Sequence, residues 1–333
     1  MITINQSIIN TKMKIRKKAF IFIWSLTTLI FLIVIFRGIT IKWIILSANI
    51  LYVFSLIGLF LDLEFFNEKT THTDNFIKLA DYNIWGVLII VAGISSIILF
   101  IGLKTNVILI LAICTLLILV WLFIRFRHEI TRTYIVNGLI LGGISAGAVY
   151  KFIPSLVTVF LLITSTFIAG SILNKKYPLT RIQLNKHSLP LTAKSFFTGC
   201  ILAIPMAFSN LSDILTTHPY IWMNHFWQPI LALGEGVMEE TWLRLFLILF
   251  IYALISSKTT KKYIPILAAL VISSVFFGFG HSNYINIQDC LRLTIFYGLP
   301  MGILLIRRDF ETAIGYHFMI DFIGITGAIV SHN

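Results

Sequence analysis

Charge is scarce in this chain of 333 residues. Only 12% of the residues are Asp, Glu, Lys or Arg, against roughly 25% in a soluble domain. That shortage excludes an ordinary water-soluble fold. Cysteine is scarce too. Cys114, Cys200 and Cys290 are scattered and odd in number, with no Cys-x-x-Cys pair, which excludes a disulfide framework and a cysteine-based zinc site. The single Gly-x-Ser-x-Gly match, Gly143–Gly147, lies inside an apolar run rather than at a strand-to-helix turn, and no His-Glu-x-x-His pair occurs, which argues against a serine hydrolase and a standard zincin.

Long apolar runs are abundant. The chain is 58% hydrophobic, with a mean hydropathy of +0.92. A membrane-crossing helix needs about 20 mostly apolar residues. The runs Ala19–Phe36, Trp43–Leu61, Ile84–Leu103, Val107–Ile124, Tyr134–Tyr150 and Pro154–Leu173 meet or approach that length. Phe196–Ser209, Phe226–Ser256, Tyr263–His281, Leu291–Ile306 and Ala313–Val330 follow. The expected fold class is all-α, a polytopic transmembrane helix bundle of about eleven spans. Two runs, Phe196–Ser209 and Leu291–Ile306, are short enough to be re-entrant.

The net charge of +12 is accounted for by loops, so no nucleic-acid partner is expected. Basic clusters at Lys12–Lys18, Arg125–Arg132, Lys175–Arg181, Lys258–Lys262 and Arg307–Arg308 fall on one side of the drawn topology. Arg37, Lys42, Lys104, Lys151 and Arg292 fall on the other. The positive-inside rule then puts the N-terminus in the cytoplasm and the C-terminus outside. The first apolar run is long for a signal peptide and lacks a small-x-small cleavage site, so it reads as an uncleaved span. Abundant Ile, Lys and Asn point to an AT-rich bacterial genome and hence to a bacterial cell membrane.

The chain divides unevenly. Residues 1–190 hold roughly six spans with almost no intramembrane charge, and their role is open. Residues 191–333 hold every ionisable group inside an apolar run. Asn174–Ser195 reads as a basic cytoplasmic linker, and Asp62–Asn83 as a solvated loop. Gly143-x-x-x-Gly147 and Gly298-x-x-x-Gly302 have the spacing of close helix contacts. The aromatic run Tyr220–Trp227 reads as an interfacial belt.

Ionisable groups in lipid are costly and mark function by default. Here they are Glu235, Glu239, Glu240, Arg244, His281, His317 and Asp321. On a helix Glu240 and Arg244 are four apart, so Arg244 is expected to hold the Glu240 carboxylate by a bidentate bond. Glu239 is then free for chemistry, with Glu235 one turn before it. His281 closes the run Phe276–Gly280, whose phenylalanines exclude water. His317 and Asp321 share a helical face, where Asp321 can orient the imidazole. Structural readings exist for each: an ion pair, an interfacial histidine, a packing hydrogen bond. Their coincidence on three apolar segments favours one shared polar site. Counted at about 1.5 Å per residue from the cytoplasmic helix ends, Glu239 and His281 lie deep and His317 shallow.

Glu239-Glu240-x-x-x-Arg244, Phe277-x-x-x-His281 and His317-x-x-x-Asp321, in that order on apolar helices, resemble the CPBP family. That family comprises the CAAX proteases and bacteriocin-processing enzymes, also called Abi proteins. The resemblance covers the last 140 residues or so. It implies an intramembrane endopeptidase acting on a membrane-associated peptide or lipopeptide. Glu239 would be the base that activates water, His281 its partner, and His317 with Asp321 the oxyanion side. Glu240 and Arg244 complete the set. Asp321 stands where Asn is the other family choice, and an ionised Asp orients His317 rather than donating to an oxyanion. Glu239, His281, His317 and Asp321 are also zinc-type ligands, so both no cofactor and a divalent metal such as zinc remain open. A non-catalytic scaffold or bacteriocin-immunity protein, or a proton-coupled transporter, are the alternatives.

Overall fold

The computed structural model describes residues 2–37, 42–60, 107–149, 153–186, 188–217, 225, 227–259, 263–281 and 287–332. The run Ile84–Leu103, the loop Asp62–Asn83 and all of Tyr220–Trp227 except His225 and Trp227 lie outside the described residues. Described elements are all helical. They are α1 (Ile2–Arg37), α2 (Lys42–Phe60), α3 (Val107–Phe126), α4 (Arg132–Ala148), α5 (Ile153–Lys176) and α6 (Leu189–Thr217). A continuous rod follows: α7 (Leu231–Glu239), a π turn (Glu240–Phe246) and α8 (Leu247–Ser256). Then come α9 (Tyr263–His281), α10 (Ile287–Leu293), a second π turn (Thr294–Gly298), α11 (Leu299–Arg307) and α12 (Phe310–His332).

Five stretches among the described residues are long and apolar enough to cross a membrane: Leu156–Lys176, Leu189–Leu215, Tyr263–His281, Ile287–Arg307 and Phe310–Ser331. Ile45–Leu59 is a shorter apolar helix. The expected count of about eleven is not reached among these residues. Both short runs belong to longer helical stretches: Phe196–Ser209 lies within Leu189–Leu215, and Leu291–Ile306 within Ile287–Arg307. Polar residues at their ends concealed the true lengths. The protein is an integral membrane protein.

One apolar cluster runs from Phe20 on α1 to Ile320 on α12 and joins helices of both parts of the chain. At its centre α6 packs along α12. The two backbones nearly touch there. A Cβ on Gly199 would overlap the Thr312 carbonyl, and one on Gly315 would overlap the Phe196 carbonyl. Small residues let helices approach this closely in lipid, where dispersion rather than water exclusion holds them. Gly315→Val should therefore cost about 1–3 kcal/mol by overpacking, read as a lowered thermal midpoint in detergent. Gly143→Val should leave the midpoint unchanged, because nothing among the described residues lies within 4 Å of a Cβ there.

Gly143 thus corrects the expected Gly143/Gly147 contact: Gly147 is equally open. The α4–α5 approach uses Gly138 and Gly142 instead, which face Thr164 and Phe160. Gly298 and Gly302 do sit at a close approach, against Ser274 and Leu270 of α9.

The expected cytoplasmic linker Asn174–Ser195 packs closely against the helices. Tyr177, Leu179, Thr180, Ile182 and Gln183 are buried, and the segment straps the start of α12. Phe310 donates its N–H to the Arg181 carbonyl at 3.0 Å. The Leu184 N–H donates to Glu311 at 2.8 Å. Asp309 caps α12: it accepts the Thr312 N–H at 2.8 Å and the Ser195 hydroxyl at 2.7 Å. Such a cap stabilises a helix by about 1 kcal/mol. The strap matters for the site because it draws the beginning of α12 into the interior, where Phe310, Glu311 and Thr312 are buried. His317, two turns further on, is buried inside the bundle as well.

Candidate active site

The rod that carries Glu239 changes pitch at the next residue. From Glu240 to Phe246 the chain forms a π turn, whose i→i+5 bonding accommodates one extra residue per turn and is frequent at functional sites. Ser273 on α9 supports this turn by donating its hydroxyl to the Leu243 carbonyl. The changed pitch rotates Arg244 relative to Glu240. The bidentate Glu240–Arg244 bond expected from α-helical spacing is absent. Glu240 is instead the partner of His317.

His317 is almost fully enclosed, and carboxylates face both of its ring nitrogens. Nδ1 lies 3.0 Å from Glu240 Oε1. Nε2 lies 3.1 Å from Asp321 Oδ2, one helical turn on. Carboxylates accept, so both nitrogens donate, or one carboxyl carries the proton. The imidazole is thereby locked in place and orientation. Asp321 faces His317 Nε2 from one turn along the same helix, which is the geometry of an orienting group.

His281 ends α9. Its Nδ1 lies 3.0 Å from the Phe277 carbonyl, which can only accept, so Nδ1 carries a proton. Its Nε2 lies 3.2 Å from Glu239 Oε1, and Glu239 and Nε2 share one further proton between them. The other oxygen, Glu239 Oε2, is buried and has no hydrogen-bond partner. It lies 3.9 Å from His317 Nε2. Buried polar atoms are nearly always paired, so this one marks a place where a polar atom from outside belongs. A water or a substrate oxygen there would meet a carboxylate on one side and an imidazole N–H on the other.

Arg244 lies wholly inside the protein. Its guanidinium carbon sits 4.4 Å from the centre of the Phe277 ring. Its Nη2 lies 3.7 Å from Met301 Sδ, while Nε and Nη1 have no hydrogen-bond partner. Its charge acts on Glu240 and Glu239 through space. Phe277 is the hub: the same ring contacts His281 at 4.2 Å and His317 edge-on at 5.8 Å. It excludes water between three ionisable groups and holds the cation by its π face.

All six motif residues are thus neighbours, and the Glu235 carboxyl lies close enough to feel Asp321 and Glu239. Sequence reasoning missed Met301 and Ser273. The Ser273-Ser274 pair in the otherwise apolar α9 is the available signal for the second.

Among the described residues, no group of three or more His, Cys, Asp or Glu side chains is disposed to hold a metal ion. The Nε2 atoms of His281 and His317 are at hydrogen-bond distance from carboxylate oxygens instead.

Comparison with curated proteins gives no match, and neither does comparison with solved structures. A family model does match, over residues 221–323, and its description is type II CAAX prenyl endopeptidase Rce1-like. All three motifs fall inside that stretch, so this part of the chain is similar to the Rce1-like family, consistent with the CPBP family that its motifs resemble.

Proposed function

We propose that the protein is an intramembrane endopeptidase that hydrolyses a peptide bond in a membrane-associated peptide or lipopeptide. The carrying observation is the unpartnered Glu239 Oε2 facing His317 Nε2 across 3.9 Å. Water bound there loses a proton to Glu239 as its oxygen attacks the peptide carbonyl carbon. The carbonyl oxygen becomes an oxyanion beside the His317 N–H, which Asp321 and Glu240 hold in place. The tetrahedral species collapses, the C–N bond breaks, and the proton on Glu239 passes to the leaving amine. His281 keeps the Glu239 carboxylate aimed throughout.

The bulk of the polypeptide supports a substrate drawn from the membrane. An apolar cleft lined by Trp227, Pro229, Ile230, Phe322, Thr326 and Ile329 opens beside the residue that follows Asp321. It suits an apolar part of the substrate. Residence in a bacterial cell membrane, a cytoplasmic N-terminus and about eleven spans complete this reading. The alternatives are a scaffold or immunity protein and a transporter.

The test is cleavage of a library of signal-peptide-like, bacteriocin-leader and prenylated peptides by the full chain in detergent, with products read by mass spectrometry. Cleavage that persists in a strong chelator is the expected result. Cleavage lost on chelation and restored by zinc would put a metal at the site. A null library result together with unchanged cellular function of Glu239→Gln would favour the scaffold.

A further inference from the structure

Pro205 lies inside α6, at a buried position. Proline has no N–H, so the Ile201 carbonyl, four residues earlier, has no donor within its own helix. In lipid no water replaces that donor, and a neighbouring helix has to supply one. The first part of the chain does so. Trp24 on α1 donates its ring N–H to the Ile201 carbonyl at 3.2 Å. Tyr52 on α2 donates its hydroxyl to the next carbonyl, that of Leu202. Asn49, one turn before Tyr52, donates its amide to Ser209 Oγ at 2.8 Å, on the far side of the proline. Three side chains of α1 and α2 thus bracket the break. Beyond it, α6 lies against the turn of α12 that carries Asp321. Asn210 donates its amide to the Ile320 carbonyl at 3.3 Å. Gly324, one turn on, faces Asn210 and Ile214, and Gly327 faces Leu211. Asp321 directly follows Ile320 and lies 3.1 Å from His317 Nε2.

We infer that Trp24 and Tyr52 set the course of α6 through its proline break, and that Asn210, on the course so set, holds the α12 turn in which Asp321 faces His317. All three are positioning residues, and all lie outside the stretch that the family model matches. The first part of the chain, on this account, fixes the geometry of a site that the last part carries. The bland alternative is that these bonds only join helices, as polar residues in membrane bundles often do. That role predicts a change in stability, indifferent to Pro205, and none at His317.

The importance of Asp321 rests on the proposed peptidase, but its contact with His317 can be read without turnover. The experiment is the ring nitrogen resonances of His317 in full-length, nitrogen-15-histidine-labelled protein in detergent, assigned by comparison with His317→Gln. Trp24→Phe, Tyr52→Phe and Asn210→Ala should each shift them. In a Pro205→Ala background the alanine N–H serves the Ile201 carbonyl. Trp24→Phe should then shift the resonances less than about half as far, since both substitutions act on one atom. Where a peptide is turned over, Asn210→Ala should lower kcat about fivefold with KM unchanged, the worth of about one hydrogen bond. Resonances unmoved by any one of the three substitutions would overturn the inference. So would a Trp24→Phe shift of equal size with and without Pro205. Should Trp24→Phe or Pro205→Ala fail to fold, Tyr52→Phe, which removes only one oxygen, decides the matter. Shifts of the expected kind in a protein that cleaves nothing would leave the inference standing and count against the peptidase instead.

Discussion

Glu239→Gln is expected to abolish peptide turnover, by at least about 10³-fold, in a protein whose thermal midpoint is unchanged. The substitution is nearly isosteric, so the surroundings of Glu239 keep their packing. Its carbonyl oxygen can still accept from His281 Nε2, now 3.2 Å from Glu239 Oε1. What disappears is the proton acceptor at Oε2, the buried atom that has no partner within the protein. General-base catalysis contributes about 10²–10⁴-fold, and an amide leaves water with no group to take its proton. Glu239→Asp should retain a trace of activity, because the shorter side chain keeps the base and loses the position. Turnover retained by Glu239→Gln would contradict the account outright.

Arg244 carries the second large expectation. This guanidinium is fully buried, stacks on Phe277 at 4.4 Å, and is the permanent cation acting on Glu240 and Glu239. Arg244→Met keeps much of the volume and removes the charge. Two carboxylates in an apolar interior then lose their compensating cation, which costs about 3–5 kcal/mol when one partner of a buried charge set is deleted. The expected outcome is a low yield of monodisperse protein and a midpoint lowered by many degrees. Arg244→Lys should rescue only part of the loss. Lysine restores charge, but its ammonium is strongly hydrated and cannot lie flat on the ring. A wild-type midpoint for Arg244→Met would show that the cation is dispensable.

The two residues also show where sequence reasoning works and where it stops. His317 and Asp321 are one turn apart on α12 and could be paired from spacing alone, because α12 keeps the α-helical period. Glu240 and Arg244 have the same spacing and could not, because the chain changes to a π turn between them. Nothing in Glu240–Phe246 announces that change. Its support, Ser273, comes from another helix. Likewise the order of the three motifs on apolar segments foretold that Glu239, His281 and His317 meet. That the basic, polar segment 177–186 packs over the start of α12 has no local sign in the sequence, because its partners Asp309, Phe310 and Glu311 lie far along the chain. Glycine spacing located the α9–α11 approach at Gly298 and Gly302, yet misplaced the α4–α5 contact by one residue: consecutive Gly142 and Gly143 point to different sides. Asn49 was invisible for a simpler reason. Its partner Ser209 is 160 positions away, and no local pattern links them.

The central claim is that Glu239 delivers water rather than attacking the peptide itself. A single turnover with enzyme in excess, in water enriched in oxygen-18, separates the two. If water attacks, one labelled oxygen appears in the new carboxylate of the product, and Glu239 remains unlabelled in a proteolytic fragment. Product without label, with oxygen-18 in the Glu239 side chain, would mean that the carboxylate is the nucleophile and would contradict the account.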